Sequence, residues 1–256
     1  MNLDAASFGI LWPAFTVGLL VTATHVPLGM QVLARGIVFI DLAVAQIAGI
    51  GVILADYLGW EPTGAAVQVA ALSAALACAM VLTWTERRWP EVQEAIIGVV
   101  FVLGSSVAIL LLAHNPRGGE HLKDLLIGQI LWVNAAHLPI YAAIYTVVLA
   151  LWFWLGERVG RIGFYVLFGC AVTVSVQLVG LYLVFASLVV PALSTYYATG
   201  HRYVKAYSVG VLGYALGLLA SLWLDLPSGA MIVCVMIAAG VAIAYLGRAW
   251  SIRKTG

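Results

Sequence analysis

The sequence is poor in charged residues, and this shortage narrows the class of protein before any motif is considered. Aspartate, glutamate, lysine and arginine make up 9% of the 256 residues, whereas 64% of the residues are hydrophobic. A soluble globular domain is closer to half apolar and a quarter charged. The composition therefore predicts an integral protein of a lipid bilayer, and it gives no reason to expect a nucleic-acid partner.

Several motifs of well-known chemistry are also missing. The chain has no GxxxxGK[ST] sequence and so cannot hold ATP in a P-loop, and it has neither HExxH nor GxSxG. Its three cysteines, Cys78, Cys170 and Cys234, lie in apolar stretches without a CxxC pair. This placement favours buried free thiols over metal ligands.

The chain contains a series of long apolar segments. A helix needs about 20 apolar residues to cross the hydrocarbon core. Breaks at charges, glycine and proline predict spans near 9–33, 37–58, 63–84, 92–113, 138–155, 162–178, 180–198, 203–223 and 228–247. The segment DLLIGQILWV at 124–133 is too short to cross alone and is predicted to be re-entrant or interfacial. We therefore predict an all-α polytopic bundle of about eight or nine transmembrane helices, forming a single domain over residues 1–256.

The basic residues predict how the chain is oriented. When the N-terminus is placed outside, ten of the twelve basic residues fall on the cytoplasmic side, and only Arg117 and Lys123 fall outside. Such an excess of cytoplasmic positive charge sets the orientation of most multi-pass proteins. We expect an external N-terminus and a cytoplasmic C-terminus.

Four polar residues interrupt the apolar spans and are candidates for function. His25 and Gln46 lie ten and eleven residues from the turn at Arg35, so at ~1.5 Å per residue both are about 15 Å deep, near the midplane. Asp41 and Glu94 lie closer to the cytoplasmic face. A charge at the centre of a span costs on the order of 2.5–3.5 kcal/mol, and less near its ends.

Two interpretations of these four residues remain open. In the structural interpretation, Asp41 and Glu94 stabilise the positive ends of their own helices, and His25 is hydrogen-bonded to a neighbouring helix. In the functional interpretation, the four residues line a pathway for a hydrophilic solute. Imidazole, carboxylate and amide groups together suit a divalent cation such as zinc or manganese.

Two interpretations are also open for the outer loop HNPRGGEHLKD at 114–124. It is either an ordinary solvated loop, with or without a docked partner, or a transient metal-acceptor surface, since zinc takes nitrogen and oxygen ligands. The candidate ligands are His114, Glu120, His121 and Asp124.

Three stretches resemble the permease subunits of bacterial ABC importers for zinc, manganese and iron. They are VPLGMQVLARGIVFIDLAVAQIAGIG, then EAIIGVVFVLGSSVAILLL followed by LKDLLIGQILWV, then VQLVGLYLVFASLVVPALSTYYA with LWLDLPSGAMIVCV. The most specific pieces are Val-Gly-x-x-Leu-Val-x-x-Ser-Leu-Val-Val-Pro-Ala and Asp-x-Pro-Ser-Gly. In order and spacing the resemblance covers about residues 20–240.

The resemblance implies a permease of the bacterial cytoplasmic membrane that works as a dimer with a second copy of itself. It also implies two cytoplasmic ABC ATPases and an external metal-binding protein as partners. The chain would be a transporter subunit and not an enzyme, without a permanently bound cofactor. Its cargo would be a divalent metal, zinc first, with manganese, iron or a metal chelate left open.

Two departures from the family pattern concern the pathway and the ATPase contact. The second span of the family usually reads Asp-Thr-Leu-Ala-His-Ala, but here Leu42 and Gln46 take the Asp and His positions, with Asp41 one residue earlier and turned by ~100°. We expect His25 to replace the missing imidazole. The cytoplasmic turn GERVGR is shorter than usual, so coupling uses this turn or a loop such as the one after Tyr197. The expected ATPase contacts are Glu157, Arg158, Arg161 and Arg202.

Three other functions compete with this one. A membrane redox protein would hold haem between paired histidines, but only His25 is clearly within a span. A secondary carrier, driven for example by protons, would work without any ATPase. A scaffold without transport activity predicts that Asp41→Asn changes nothing but stability.

Overall fold

The computed structural model describes residues 5–60, 64–112, 128, 130–155, 160–198 and 200–255. These ranges contain nine α-helices and no β-strand, which confirms the predicted all-α class. The helices are α1 Ala5–Arg35, α2 Ile40–Tyr57, α3 Ala65–Arg88, α4 Gln93–Leu112, α5 Leu138–Leu155, α6 Gly160–Val179, α7 Leu181–Ser194, α8 Arg202–Leu224 and α9 Ser228–Thr255. Short 3-10 helices occur at Pro90–Val92, Ile130–Trp132 and Ala135–His137.

Eight of the described helices, all except α7, are long and apolar enough to cross a membrane. This number agrees with the predicted eight or nine. The difference lies at the predicted span 180–198, where α7 has only 14 residues. At ~1.5 Å per residue α7 is about 21 Å long, less than the ~30 Å hydrocarbon core. Of the short segment predicted at 124–133, residues 130–132 form a 3-10 helix, and residues 124–127 and 129 lie outside the described ranges.

The chain divides into two compact units. The first unit holds α1, the 3-10 helices at 130–137, α5 up to Tyr145, and α7, α8 and α9; in it, α1 and α9 each pack against both α7 and α8. The second unit holds α2, α3, α4, the remainder of α5, and α6 up to Gln177; in it, α2 packs against α3 and α4. The assignment of residues 1–256 to a single domain stays a prediction.

Glycines permit close backbone contact within the first unit. A Cβ atom on Gly29 would lie 1.9 Å from the carbonyl oxygen of Leu188, so α1 and α7 touch through their backbones. On α8, Cβ atoms on Gly213 and Gly217 would lie 2.7 Å and 2.5 Å from atoms of α9. Small residues four apart therefore form the α8–α9 contact, as is common where membrane helices approach closely.

Buried hydroxyl groups mostly bond within their own helix. Thr83, for example, donates to the carbonyl oxygen of Ala79 at 2.7 Å. The same bond to the residue four positions earlier is made by Thr173, Ser175, Ser187 and Thr195. Each of these hydroxyls is therefore satisfied by its own backbone. Ser187 also makes a bond between helices, because its Oγ lies 2.9 Å from the hydroxyl of Tyr214 on α8.

A buried glutamine joins α3 to α4 in the second unit. Gln93, the first residue of α4, donates through Nε2 to the carbonyl oxygen of Leu82 at 3.0 Å. Its Oε1 accepts a hydrogen bond from Thr85 Oγ1 at 2.9 Å. These two bonds fix the turn that carries Glu94, the next residue, into α4.

Candidate functional site

His25 lies on α1 in the first unit and is fully buried. Its Nδ1 atom is 3.0 Å from the carbonyl oxygen of Val21 and 3.0 Å from Thr24 Oγ1. Because a carbonyl oxygen can only accept, the hydrogen bond to Val21 places the ring proton on Nδ1. The hydrogen bond runs within α1, whereas the structural interpretation expected a neighbouring helix.

The other ring nitrogen of His25 is therefore an unprotonated acceptor. Nε2 is buried and has no hydrogen-bond partner among the described residues. A histidine that binds a metal commonly donates one ring N–H to a backbone carbonyl and offers the lone pair of the other nitrogen to the metal. His25 has this arrangement without any rearrangement of its ring.

Asp41 lies in the first turn of α2 in the second unit and is also fully buried. The amide groups of Asp41 and Leu42 face its carboxylate, but neither oxygen has a hydrogen bond of regular geometry. The helix dipole favours a carboxylate at this position. The dipole alone does not compensate for two buried carboxylate oxygens that lack partners, since such groups are costly to bury.

Glu94 of α4 lies close to Asp41. Its Oε1 accepts a hydrogen bond from the backbone N–H of Phe39 at 3.2 Å, and Phe39 is the residue directly before α2. Glu94 thus stabilises a helix start, but it is the start of α2 and not that of its own helix. Its Oε2 is buried without a hydrogen-bond partner.

The structure therefore brings two carboxylates together at the beginning of α2. Asp41 and Glu94 are close enough to repel each other electrostatically, and three of their four oxygens lack hydrogen-bond partners. Like charges that share a site favour a bound cation or a proton between them.

Gln46 is half-buried and does not face the same side of α2 as Asp41. Five residues separate them, which corresponds to about 140° around the helix at 100° per residue. Gln46 packs against α4, where a Cβ on Gly104 would lie 3.0 Å from the Cβ of Gln46. His25 belongs to the other unit, so its pairing with Gln46 stays a prediction.

Over the described part of the chain, no group of three or more histidine, cysteine, aspartate or glutamate residues could hold a metal ion. The predicted outer-loop residues His114, Glu120, His121 and Asp124 lie outside the described ranges, and so do Glu157 and Arg158. Of the predicted ATPase contacts that are described, Arg161 Nε lies 3.9 Å from Glu86 Oε1. The guanidinium of Arg202 lies 5.8 Å from the ring centre of Tyr196.

One contact near the short helix α7 was not anticipated from the sequence. A Cβ on Gly128 would lie 2.3 Å from the backbone nitrogen of Gly180, the residue between α6 and α7. Both glycines have positive φ angles, 70° and 83°, which side chains disfavour. The backbone at 128 therefore packs directly on the break between the two helices. The only trace of this contact in the sequence is the pair of glycines in LIGQILW and QLVGLYL.

Comparison with known proteins gives related sequences and solved structures of the same fold. The ABC 3 transport family matches residues 7–160 and 155–247. The membrane protein slr2045 of Synechocystis is 26% identical over 270 residues, covering 95% of this chain and 91% of that protein. The high-affinity zinc uptake system membrane protein ZnuB of Haemophilus influenzae is 25% identical over 256 residues, covering 88% of this chain and 93% of that protein.

Among solved structures, a chain of PsaBC from Streptococcus pneumoniae, determined in complex with Fab, superposes with a TM-score of 0.75. The alignment covers 93% of this chain and 92% of that chain, with 18% sequence identity. At this identity the comparison shows a shared fold.

Proposed function

This chain belongs to the ABC 3 transport family, and from that premise we propose that it is the permease subunit of an importer that moves a divalent transition metal into the cytoplasm. The resemblance noted in the sequence is confirmed at the level of this family. Zinc is the first candidate cargo, because a relative over most of the chain is a membrane protein of a high-affinity zinc uptake system. Manganese and iron are the alternatives.

The observation that carries the proposed pathway is the unpartnered Nε2 of His25. This nitrogen is fully buried, has a free lone pair and takes no part in the bond to Val21, and an imidazole nitrogen suits a soft to borderline divalent cation. Asp41 and Glu94 supply oxygen ligands that attract the cation, and the amide oxygen of Gln46 is a weaker ligand. We propose that these residues bind the metal briefly in transit and do not hold it permanently.

The partners follow from the same proposal. A cytoplasmic ABC ATPase would supply the ATP hydrolysis that this chain cannot perform, and a second copy of the chain would complete the permease. The exposed tyrosines 196 and 197 and the adjacent Arg202 form one candidate ATPase contact. The turn with Glu157, Arg158 and Arg161 is the other. The outer loop with His114, Glu120, His121 and Asp124 would receive metal from an external binding protein.

The first experiment tests the importer itself. The tagged chain is purified in mild detergent from its native host, and co-purifying proteins are identified by mass spectrometry. We expect an ATPase with a P-loop in an amount comparable to the chain. If the folded chain is recovered without an ATPase, the importer proposal is wrong and an ATPase-independent carrier becomes the better explanation.

The second experiment tests the pathway by measuring zinc uptake in vesicles that contain the complete transporter. His25→Asn keeps a side-chain N–H near the position of Nδ1 but removes the ligand atom at Nε2, so it should fold and lose at least roughly tenfold in uptake, about 1.4 kcal/mol. His25→Gln places an amide near Nε2 and should retain part of the activity. Uptake by His25→Asn equal to that of the unmodified chain would exclude His25 as a ligand.

Asp41→Asn has a matched control on the same helix. Asp56 lies at the other end of α2 and is exposed, whereas Asp41 is fully buried. We expect Asp41→Asn to reduce zinc uptake strongly and Asp56→Asn to leave it unchanged. If Asp41→Asn changes only the thermal stability, the structural interpretation of this carboxylate is correct and the pathway does not include it.

A further inference from the structure

A groove in the second unit lies between α3 and α6 and is not used by the proposed pathway. Its volume is about 230 Å³. On α3 it is lined by Met80, Trp84 and Arg87, among others, and on α6 by Ile162 and Val166. The spacings of three and four residues place the contributions of each helix on one helical face.

The groove is basic at one end and apolar at the other. Arg87 lies near the end of α3, and Arg161 lies at the start of α6. The contact between Arg161 and Glu86 shows that these two helix ends are adjacent. From Arg87 the α3 side of the groove runs back seven residues to Met80, about 10 Å along the helix. Both helices therefore present charge at the mouth and hydrocarbon at greater depth.

The mouth of the groove carries excess positive charge. Arg87 lines the groove and Arg161 directly precedes the lining residue Ile162, whereas the carboxylate of Glu86 contacts Arg161, so these three side chains carry a net charge of +1. The contact of Arg161 with Glu86 is long, 3.9 Å, and the Arg161 side chain is 50% exposed. A guanidinium has five N–H donors, so an exposed arginine can bind an anion at the mouth as well as one carboxylate.

Two tryptophans place this mouth at the level of the lipid headgroups. Trp84 lines the groove, and its ring contacts that of Trp89 edge to face with 5.3 Å between ring centres. Both side chains are exposed. Exposed tryptophans at the end of a span are typical of the membrane interface. The orientation predicted from the basic residues puts this end of α3 at the cytoplasmic face.

We propose that this groove binds an anionic phospholipid of the cytoplasmic leaflet. The phosphate lies between Arg87 and Arg161, and one acyl chain lies along Met80, Ile162 and Val166. The groove has positive charge at its mouth and apolar side chains at greater depth, which matches the headgroup and acyl chain of a lipid. A soluble anion would bind at the mouth alone and make no contact with the apolar part. Basic pockets between spans on the cytoplasmic side are suited to anionic headgroups. The proposal is independent of the metal.

The test measures lipid selectivity of the purified full-length chain. The chain is incubated with equimolar phosphatidylglycerol and phosphatidylcholine in detergent, and the retained lipids are counted by native mass spectrometry. We expect a preference for phosphatidylglycerol that falls about 25-fold in the double variant Arg87→Gln, Arg161→Gln, about fivefold for each removed charge. Arg88→Gln is the matched control, since it has the same charge at the same helix end but lies ~100° around α3 from Arg87, the residue that lines the groove.

A second variant separates a lipid site from simple charge attraction. Val166→Trp fills the apolar part of the groove and leaves both arginines in place, and the 36% exposure of Val166 allows a larger side chain to fold. We expect Val166→Trp to lose phosphatidylglycerol retention as well. If the double variant does not fold, Val166→Trp alone tests the lipid site. Retention by Val166→Trp equal to that of the unmodified chain would overturn the lipid site. An equal loss in Arg88→Gln would also overturn it, because it would show general surface charge.

Discussion

A single added methyl group at Gly29 should destabilise the first unit. The Cβ of an alanine there would lie 1.9 Å from the carbonyl oxygen of Leu188, and real Cβ atoms essentially never come closer than 3.0 Å to such an atom. The obstructing oxygen belongs to the backbone of α7, so no side-chain rotation can relieve the contact. Either α1 or α7 must move, and with it the packing around His25, one turn before Gly29 on the same face of α1.

The expected cost of Gly29→Ala lies at the upper end of that for overpacking, about 3 kcal/mol. For a chain of this size, about 2–4 °C of melting temperature corresponds to each kcal/mol, so we expect a decrease of roughly 6–12 °C. Gly9→Ala is the matched control, because Gly9 is on the same helix and a Cβ there would meet nothing within 4 Å. The assay is thermal unfolding of both variants in the same detergent. Equal melting temperatures for the two variants would refute the close backbone contact between α1 and α7.

Two further predictions concern buried polar bonds and use the same unfolding assay. Gln93→Leu removes a side chain that bonds to both Leu82 and Thr85 and leaves each of these buried groups with one partner fewer. We therefore expect the free energy of unfolding to fall by about 1–3 kcal/mol. An unchanged melting temperature would contradict these bonds. Tyr214→Phe removes one hydrogen bond between helices, but Ser187 keeps its hydrogen bond within α7. We therefore expect a smaller decrease in the free energy of unfolding, about 1 kcal/mol. A loss larger than that of Gln93→Leu would show that the Ser187 bond carries more of the packing than its geometry indicates.

Much of the helical fold could be predicted from the sequence, because a long apolar segment in lipid has few alternatives to an α-helix. The predicted span 138–155 coincides with Leu138–Leu155, and the predicted span 203–223 differs by one residue at each end from Arg202–Leu224. The prediction was less accurate for α7, because the predicted span 180–198 is helical only over Leu181–Ser194. The predicted break between spans 162–178 and 180–198 coincides with Gly180, whose positive φ ends the regular helical backbone there.

The candidate residues could be chosen from the sequence, but the contacts they make could not. The depth of His25 and Asp41 along their helices follows from counting residues. The hydrogen bond from the Phe39 N–H to Glu94 joins positions 55 residues apart, and a sequence does not specify which helices are neighbours. The proton on Nδ1 of His25 likewise depends on the carbonyl that the ring faces, which is a matter of side-chain rotamer and not of residue type.

The hydroxyl bonds within single helices bear on how the chain is inserted into the membrane. A span whose serine and threonine groups are already satisfied by its own backbone can pass into lipid alone, before any neighbour is present. α6 meets this condition at Thr173 and Ser175. α2 does not, because Asp41 has no such bond. During synthesis α2 should therefore remain at the insertion machinery until a neighbouring helix or a cation stabilises its carboxylate.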